Sequence, residues 1–347
     1  MRASVEWMER HQVSLYLAGL VLGGVVGLLA PAVAGPAELA IQPVLALLLY
    51  ATFLGIPFAR IGRAFRGWRF LGTILAVNFV AVPPVVWLLT RIVAHDQVLL
   101  VGVLFVLLTP CIDYVLVFAG LAGADVHRLL AATPLLMLAQ MALLPLYLWL
   151  FVGSGFMDTV EFGPFGEAFL VLIALPLAAA ALTQFVAGHG ESARGESARS
   201  ARGDRAVRVG RVGRVGRSVA QGATAAMVPL MVATLALVVA SQISAVGERL
   251  GALVQVVPVY VAFVMVMVPA GIAAGRLAGL DVPGRRAIAF SGATRNSLVV
   301  LPLVLALPAA FDLAALVVVT QTLVELVAMV VLVRLVPRLI PEVTPVT

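Results

Sequence analysis

Long apolar runs separated by short polar segments make up most of the chain. Ten of these runs are about 20 residues long, which is enough for a helix to cross the hydrocarbon core of a bilayer. The pattern therefore predicts an all-α polytopic membrane protein with ten transmembrane helices. The predicted spans, numbered 1 to 10 in chain order, cover residues 12–30, 39–58, 69–90, 97–120, 129–152, 165–187, 223–243, 250–275, 286–307 and 312–333.

The basic residues predict the orientation of these spans. All 23 are arginines, and 20 of them fall in segments on the cytoplasmic side if the N-terminus is cytoplasmic. Arg91 and Arg249 fall on the other side, and Arg295 lies inside span 9. Because cytoplasmic loops are enriched in basic residues, we expect a protein of the plasma (inner) membrane with both termini in the cytoplasm. Orientation accounts for the arginines, so no nucleic-acid partner is expected.

Residues 188–222 form a low-complexity, arginine-rich segment with two copies of Gly-Glu-Ser-Ala-Arg. Such a composition cannot bury a core, so we predict a disordered cytoplasmic linker, or alternatively a contact with anionic lipid. The linker separates a first five-helix repeat, residues 1–187, from a second, residues 223–347. Since five is odd, the second repeat is inverted relative to the first, as in many secondary transporters.

Polar residues interrupt two of the apolar runs. Span 9 contains Arg295 within a run of small and polar residues, Ser291, Gly292, Thr294, Asn296 and Ser297. A charge at membrane depth and residues that weaken a helix predict a discontinuous helix. The alternative is an arginine that snorkels to the interface beside small packing residues.

Inverted symmetry predicts a matching irregularity in span 4. Thr109–Tyr114 provides it, since Pro110 breaks helical hydrogen bonding and Asp113 is an acid at membrane depth. We hypothesise that Asp113 and Arg295 face each other where the helices of spans 4 and 9 cross, directly or through bound substrate. The alternative is a permanent ion pair that only holds the helices together.

Three further positions bear on the predicted site. Asn78 in span 3 is either interhelical glue or part of the site. Glu325 in span 10, for which Gln140 holds a comparable place in span 5, is either a proton carrier or a partner of Arg295. Cys111, the single cysteine, is either a small buried hydrophobe or a thiolate that binds a soft metalloid.

The four histidines lie at or beyond span ends, so no histidine-based catalytic site is apparent at the midplane. No zinc or haem signature is present in the sequence. We therefore predict no enzymatic activity, no metal site and no cofactor.

Three segments resemble the bile acid:sodium symporter superfamily, most of all its Acr3-type arsenite efflux branch. The stretch from Thr109 to Val126 resembles the fourth span and following loop of that branch. Asn78-Phe79 with Pro83 resembles its Asn-Trp…Pro in span 3. Arg295-Asn-Ser resembles the Gln-Asn-Ser of sodium-coupled members in span 9.

This resemblance implies two inverted five-helix repeats, with a core domain of spans 3–5 and 8–10 and a panel domain of spans 1, 2, 6 and 7. It also implies that spans 4 and 9 are broken and cross, that transport is by alternating access, and that Cys111 is essential for arsenite transport. The chain departs from sodium-coupled members at Ser291, where they carry Glu, and at Arg295, where they carry Gln. Leu298 stands where the arsenite branch carries an acid. A fixed guanidinium in place of a bound cation leaves proton coupling or uniport.

We therefore expect a secondary active transporter that exports arsenite or a related metalloid with proton coupling. The alternative is a carrier of organic anions, bile-acid-like or small carboxylates, sodium-coupled or not, in which Arg295 meets the anionic group. The predicted substrate-binding residues are Cys111, Asp113, Asn78, Thr294, Arg295, Asn296 and Ser297. The predicted ion- or proton-coupling residues are Asp113, Glu325 and Ser291.

Overall fold

A computed structural model describes residues 7–8, 11–55, 67–112, 115–153, 170, 174–185, 222–223, 225–241, 243 and 250–341. The described chain is almost entirely helical, which confirms the predicted all-α class. Its helices are α1 Gln12–Leu29, α2 Ala34–Gly55, α3 Trp68–Thr90, α4 Gln97–Leu107, α5 Val115–Leu121, α6 Val126–Val152, α7 Leu175–Phe185, α8 Ala225–Ser241, α9 Leu250–Leu277, α10 Val282–Ala293, α11 Ser297–Leu305 and α12 Leu313–Leu339.

Length and composition identify this as an integral membrane protein. Within the described residues, 5 helices are long and apolar enough to cross a bilayer. They are Pro31–Leu54, Trp68–Thr90, Val126–Val152, Leu253–Leu277 and Ala309–Leu339. Further apolar helices are shorter, among them α1, α4, α7 and α8. The count of ten spans and the inverted repeat stay predictions.

The chain divides into two compact units. The first contains residues 1–56 and 166–241, and the second contains residues 57–165 and 242–347. The first unit thus takes in predicted spans 1, 2, 6 and 7, and the second takes in spans 3–5 and 8–10. This is the grouping that the sequence resemblance implies for panel and core. The linker predicted at 188–222 lies outside the described residues, apart from Gly222.

Close helix contacts hold the first unit together. A Cβ added at Gly23 of α1 would lie 2.8 Å from the Cα of Ala236, so only glycine lets α1 and α8 approach so closely. In the same unit, α2 and α7 are joined by polar bonds. The hydroxyls of Tyr50 and Thr183 lie 2.9 Å apart, and Gln184 donates to the carbonyl of Leu54 at 3.0 Å.

The second unit has α4 and α10 at its centre. Every residue of α4 from Leu99 to Leu107 is buried, and so is every residue of α10 from Arg286 to Ala293. A helix that is covered on all sides belongs to the interior of a bundle. α10 packs tightly on α9, where a Cβ added at Gly271 would lie 2.9 Å from the Cα of Ala289.

The helix α3 is irregular at its middle, where a π-helical turn spans Val77–Ala81. Pro83 follows and has no N–H to donate to the carbonyl of Phe79, four residues earlier. The hydroxyl of Tyr147 in α6 donates to that carbonyl instead, at 2.6 Å. The turn therefore remains satisfied, and its residue Asn78 is placed inside the second unit.

Candidate functional site

Two helices of the second unit are interrupted where the sequence predicts. α4 ends at Leu107 and the chain is helical again from Val115, so span 4 is broken. α10 ends at Ala293 and α11 begins at Ser297, so span 9 is broken as well. Helix ends leave backbone groups without intrahelical partners, and each break must satisfy these groups in another way.

The two breaks satisfy each other. Pro110 and Arg295 lie opposite one another as an isolated antiparallel bridge. The N–H of Cys111 donates to the carbonyl of Thr294 at 3.2 Å, and the N–H of Asn296 donates to the carbonyl of Thr109 at 2.8 Å. Both bonds come from the residues beside the opposed pair. Proline at position 110 therefore costs this bridge no hydrogen bond. Backbone contacts between the two breaks fix the crossing of spans 4 and 9.

The guanidinium of Arg295 lies at the ends of both interrupted helices. Its Nη2 donates to the carbonyls of Ser291 and Gly292 at 2.9 and 2.8 Å, in the last turn of α10. Its Nη1 donates to the carbonyl of Leu107, the last residue of α4, at 3.2 Å. Carbonyls at helix C-termini carry partial negative charge and lack intrahelical donors, so one cation stabilises both ends.

Arg295 is also wholly enclosed by protein. Its residue exposure is 0%, so the alternative in which it snorkels to the membrane interface is wrong. The guanidinium carbon lies 5.1 Å from the centroid of the Phe263 ring, within the range of a cation–π contact.

Asn78 joins α3 to the break in span 9, between α10 and α11. Its Oδ1 accepts from Nη2 of Arg295 at 2.8 Å, and its Nδ2 donates to the Ser291 hydroxyl at 3.0 Å. Nδ2 also donates to the carbonyl of Ile74 at 2.9 Å, within the same helix. Asn78 is therefore interhelical glue whose bonds end on the predicted site residues themselves.

The carboxylate of Glu325 contacts the backbone of the same break. Its Oε2 accepts from the N–H of Arg295 at 2.8 Å and from Nε2 of Gln321 in the preceding turn of α12. Glu325 is buried, with 2% exposure. Glu325 thus contacts the backbone of Arg295, and its two interpretations, as a proton carrier or as the partner that neutralises Arg295, both stay predictions.

The remaining predicted polar residues in span 9 help to end its half-helices. The Thr294 hydroxyl donates to the carbonyl of Phe290 at 2.9 Å, one turn back in α10. Asn296 accepts from the N–H of Val299 at 3.2 Å and so caps α11. The Ser297 hydroxyl accepts from the Thr322 hydroxyl at 2.8 Å, which links α11 to α12.

Cys111 lies in the break of span 4, after the end of α4. It is 2% exposed, and its thiol is not in a disulfide. The bridge between the two breaks places it next to Pro110, opposite the predicted residues of span 9. Asp113 lies outside the described residues, so the proposed pair of Asp113 and Arg295 stays a prediction. In the described residues, no group of three or more His, Cys, Asp and Glu side chains is placed to hold a metal ion.

Several buried polar atoms at the crossing have no hydrogen-bond partner within the described chain. They are Nε of Arg295, Nδ2 of Asn296 and Oε1 of Gln321. Both polar atoms of the Gln140 side chain in α6 are in the same condition. An unpaired buried polar group costs about 1–3 kcal/mol, so each of these atoms requires an explanation.

Thr109 and the carbonyl of Leu107 contribute to the site without having been predicted from the sequence. The Thr109 hydroxyl donates to the carbonyl of Phe105 at 3.0 Å, as Thr294 does one turn back in its own helix. A threonine at the end of each half-helix was a usable signal. No sequence signal could mark the Leu107 carbonyl, because every residue has a backbone carbonyl.

Arg286 also escaped sequence analysis. It is buried, and it donates to the carbonyls of Ile340 at 2.9 Å and Ala122 at 3.1 Å. It therefore joins the ends of α12 and α5 to α10, as Arg295 joins the ends of α4 and α10.

A loop motif occurs twice in the second unit. Leu-Ala-Gly-x-Asp-Val occurs at 121–126 and again at 277–282. In both copies the glycine has positive φ, 68° at Gly123 and 66° at Gly279, and the aspartate caps the next helix. Arg128 then bridges the two copies, with a carboxylate of Asp281 at 2.7 Å and that of Asp125 at 3.0 Å.

Comparison with known families gives a match over less than half of the chain. Residues 42–192 match the model of the Sodium Bile acid symporter family. Members of this family are transporters rather than enzymes. The matched region contains Asn78, Pro110 and Cys111, whereas Arg295 and Glu325 lie beyond it. No curated protein matches the chain.

Proposed function

We propose that the chain is a secondary active transporter that works by alternating access and exports arsenite or a related metalloid in exchange for protons. The observation that carries this proposal is the crossing of two interrupted helices, with a thiol, a carboxylate and a guanidinium in one buried cluster. Interrupted helices at membrane depth are the usual solute sites of secondary transporters. The match to a transporter family supports the same class.

The chemistry of the crossing favours an uncharged metalloid as the solute. Thiol sulfur binds soft centres such as trivalent arsenic, and Cys111 is the single cysteine of the chain. Arsenite at neutral pH is an uncharged trihydroxide, whose hydroxyls both donate and accept. Nδ2 of Asn296 and Oε1 of Gln321 supply an unpaired donor and an unpaired acceptor. Thr294, Ser297 and Asp113 complete the proposed binding set.

Cys111 is 2% exposed, so solute reaches it only when the protein opens. Alternating access supplies that opening on one side of the membrane at a time.

The Arg295 site argues for proton rather than sodium coupling. Sodium prefers hard oxygen ligands, and four such oxygens lie 2.8–3.2 Å from the two Nη atoms of Arg295. A guanidinium already carries the positive charge at that place, and Ser291 provides no carboxylate there. We propose that Glu325, together with Asp113, carries the exchanged proton.

The proposal is tested by reconstituting the purified chain in proteoliposomes. Arsenite flux should follow an imposed proton gradient and should be indifferent to a sodium gradient. Cys111→Ser should abolish the flux, and Glu325→Gln should uncouple it from the proton gradient while both variants stay folded. Arsenite flux that needs sodium, or that survives Cys111→Ser, contradicts the proposal.

A carrier of organic anions is the second candidate, and the observation that favours it is the unpaired Nε of Arg295. Nε of Arg295 has no acceptor in the described chain, so a carboxylate could bind there. Against it, the Nη groups already serve four protein acceptors that an anion would have to displace. Uptake of a small carboxylate that survives Cys111→Ser and is lost in an Arg295→Gln protein shown to be folded by thermal unfolding would select this candidate.

A further inference from the structure

A groove runs along the second unit between α3 and α9. Its volume is ≈ 870 Å³, and it continues into a cavity of ≈ 930 Å³ at the starts of α3, α6 and α10. Trp68, Arg69 and Gly279 line both, so the two form one continuous depression.

The groove is apolar and lined mainly by small side chains of α3 and α9. An ideal Cβ at Gly72 meets nothing within 4 Å, which shows that the groove is open at this point. Val80 and Leu277 beside it are 70% and 90% exposed. From Trp68 to Ala81 the groove follows α3 for about 20 Å, and the hydrocarbon of one leaflet is about 15 Å deep. Its length and surface suit an acyl chain.

The charges at the mouth suit an anionic head group. The carboxylates of Asp125 and Asp281 are held by Arg128 and by the helix starts that they cap. Arg69 has no carboxylate partner among the described residues, and its guanidinium carbon lies 5.6 Å from the centroid of the Trp68 ring. An exposed arginine beside a tryptophan is typical of the membrane interface. Within the described residues, Arg69 is thus a cation without a carboxylate partner where the groove meets the head-group region.

We propose that this groove binds an anionic phospholipid, with an acyl chain along α3 and the phosphate at Arg69. Only a lipid combines a long apolar chain with an anionic group at its end, as the depression requires. The positive-inside prediction places this mouth in the cytoplasmic leaflet, where anionic lipids attract basic residues. Its lining contains none of the residues predicted to bind the solute.

Native mass spectrometry of the full chain in mild detergent tests this proposal. The probes are dioleoyl phosphatidylglycerol and dioleoyl phosphatidylcholine, which share their acyl chains and differ in net charge. The wild-type chain should retain phosphatidylglycerol more tightly than phosphatidylcholine. Arg69→Gln should weaken retention of phosphatidylglycerol about fivefold, the expected effect of one arginine at an anionic surface. Gly72→Leu should weaken retention of both lipids by filling the groove.

The chain offers matched controls for both variants. Arg91→Gln removes an arginine that stacks on Trp87 at 5.0 Å, at the other end of the same helix. Gly35→Leu adds the same side chain at a glycine where a Cβ also meets nothing within 4 Å. Neither should change lipid retention, and thermal unfolding in detergent verifies that all four variants are folded.

Three results would overturn the proposal. The first is equal retention of both lipids by the wild-type chain. The second is loss of phosphatidylglycerol in Arg91→Gln as large as that in Arg69→Gln. The third is a dimer that Gly72→Leu dissociates, which would assign the groove to a second copy of the chain. Transport activity enters none of these readouts, so failure here leaves the proposed solute site untouched.

Discussion

At the scale of single residues, the function of Arg295 is decided by its acceptors. A buried arginine is costly unless its donors are paired, and here both Nη atoms are paired with helix-end carbonyls and an amide. Two half-helix C-termini would otherwise face each other with unsatisfied carbonyls. The arginine is thus part of the structure of the crossing as well as of its chemistry.

Removing this guanidinium should destabilise the protein strongly. Arg295→Met leaves the oxygens of Asn78, Ser291, Gly292 and Leu107 without these donors, and it leaves Glu325 without a nearby cation. We expect a loss of about 3–5 kcal/mol, the usual effect of removing one partner from a buried charged cluster. Thermal or denaturant unfolding in detergent measures it.

Arg91→Met is the control for this prediction, since Arg91 is exposed and stacks on Trp87. It should change stability by less than about 0.5 kcal/mol. Equal losses in the two variants would show that the Arg295 contacts do not stabilise the fold.

How far sequence predicts the site is clearest at this scale. Arg295, Glu325 and Asn78 stand out because each is polar within an apolar run. Their bonding could not be predicted, because most acceptors of Arg295 are backbone carbonyls that no residue pattern marks. The expected partner Asp113 lies outside the described residues.

At the scale of elements, irregular helices are stabilised by remote side chains. The sequence predicts the breaks in spans 4 and 9 from Pro110 and from the small polar run around Arg295. It also contains Pro83 and Pro84, but the π-helical turn before them could not be inferred. The turn depends on Tyr147, which lies far along the chain and approaches only after folding.

Tyr147→Phe tests the stabilisation of this turn. The change removes the hydroxyl that donates to the Phe79 carbonyl and leaves that carbonyl without this donor. We expect a loss of about 1–3 kcal/mol in the free energy of unfolding. Trp149→Phe, at a position of the same helix that is 52% exposed, should have a much smaller effect. A Tyr147→Phe protein as stable as wild type would contradict the assignment.

The twin loop motif makes a second prediction about elements. Asp281 is an N-cap and a salt-bridge partner, whereas Arg128 supplies only the bridge. Asp281→Ala should therefore cost about 0.5–2 kcal/mol for the lost cap. Arg128→Gln should cost about 0–1 kcal/mol, because both side chains are partly exposed, 41% and 50%. The reverse order, measured by denaturant unfolding, would show that the bridge dominates.

At the scale of the whole molecule, apolar runs predict the class and the positions of the helices. They do not predict which helices pack together, because lipid-facing and protein-facing surfaces are equally apolar. The division into spans 1, 2, 6 and 7 against spans 3–5 and 8–10 came only from the family resemblance.

Topology is a prediction at this scale. Cys111 is the single cysteine, so a Cys111→Ser background allows new cysteines to be labelled one at a time. We expect a membrane-impermeant maleimide to label Ala94→Cys on intact cells, because this exposed loop lies on the side with few arginines. Ser200→Cys in the arginine-rich segment should react only after the membrane is opened. The opposite pattern would invert the orientation.

The central claim is that the solute crosses the membrane where spans 4 and 9 are broken. Alkylation of Cys111 by N-ethylmaleimide in proteoliposomes tests this claim. The rate of modification is followed by mass spectrometry with and without arsenite, and arsenite flux is measured in the same vesicles. The account predicts that arsenite slows alkylation and that flux falls in proportion to the modified fraction. Fully alkylated protein that still transports arsenite at the original rate would contradict it.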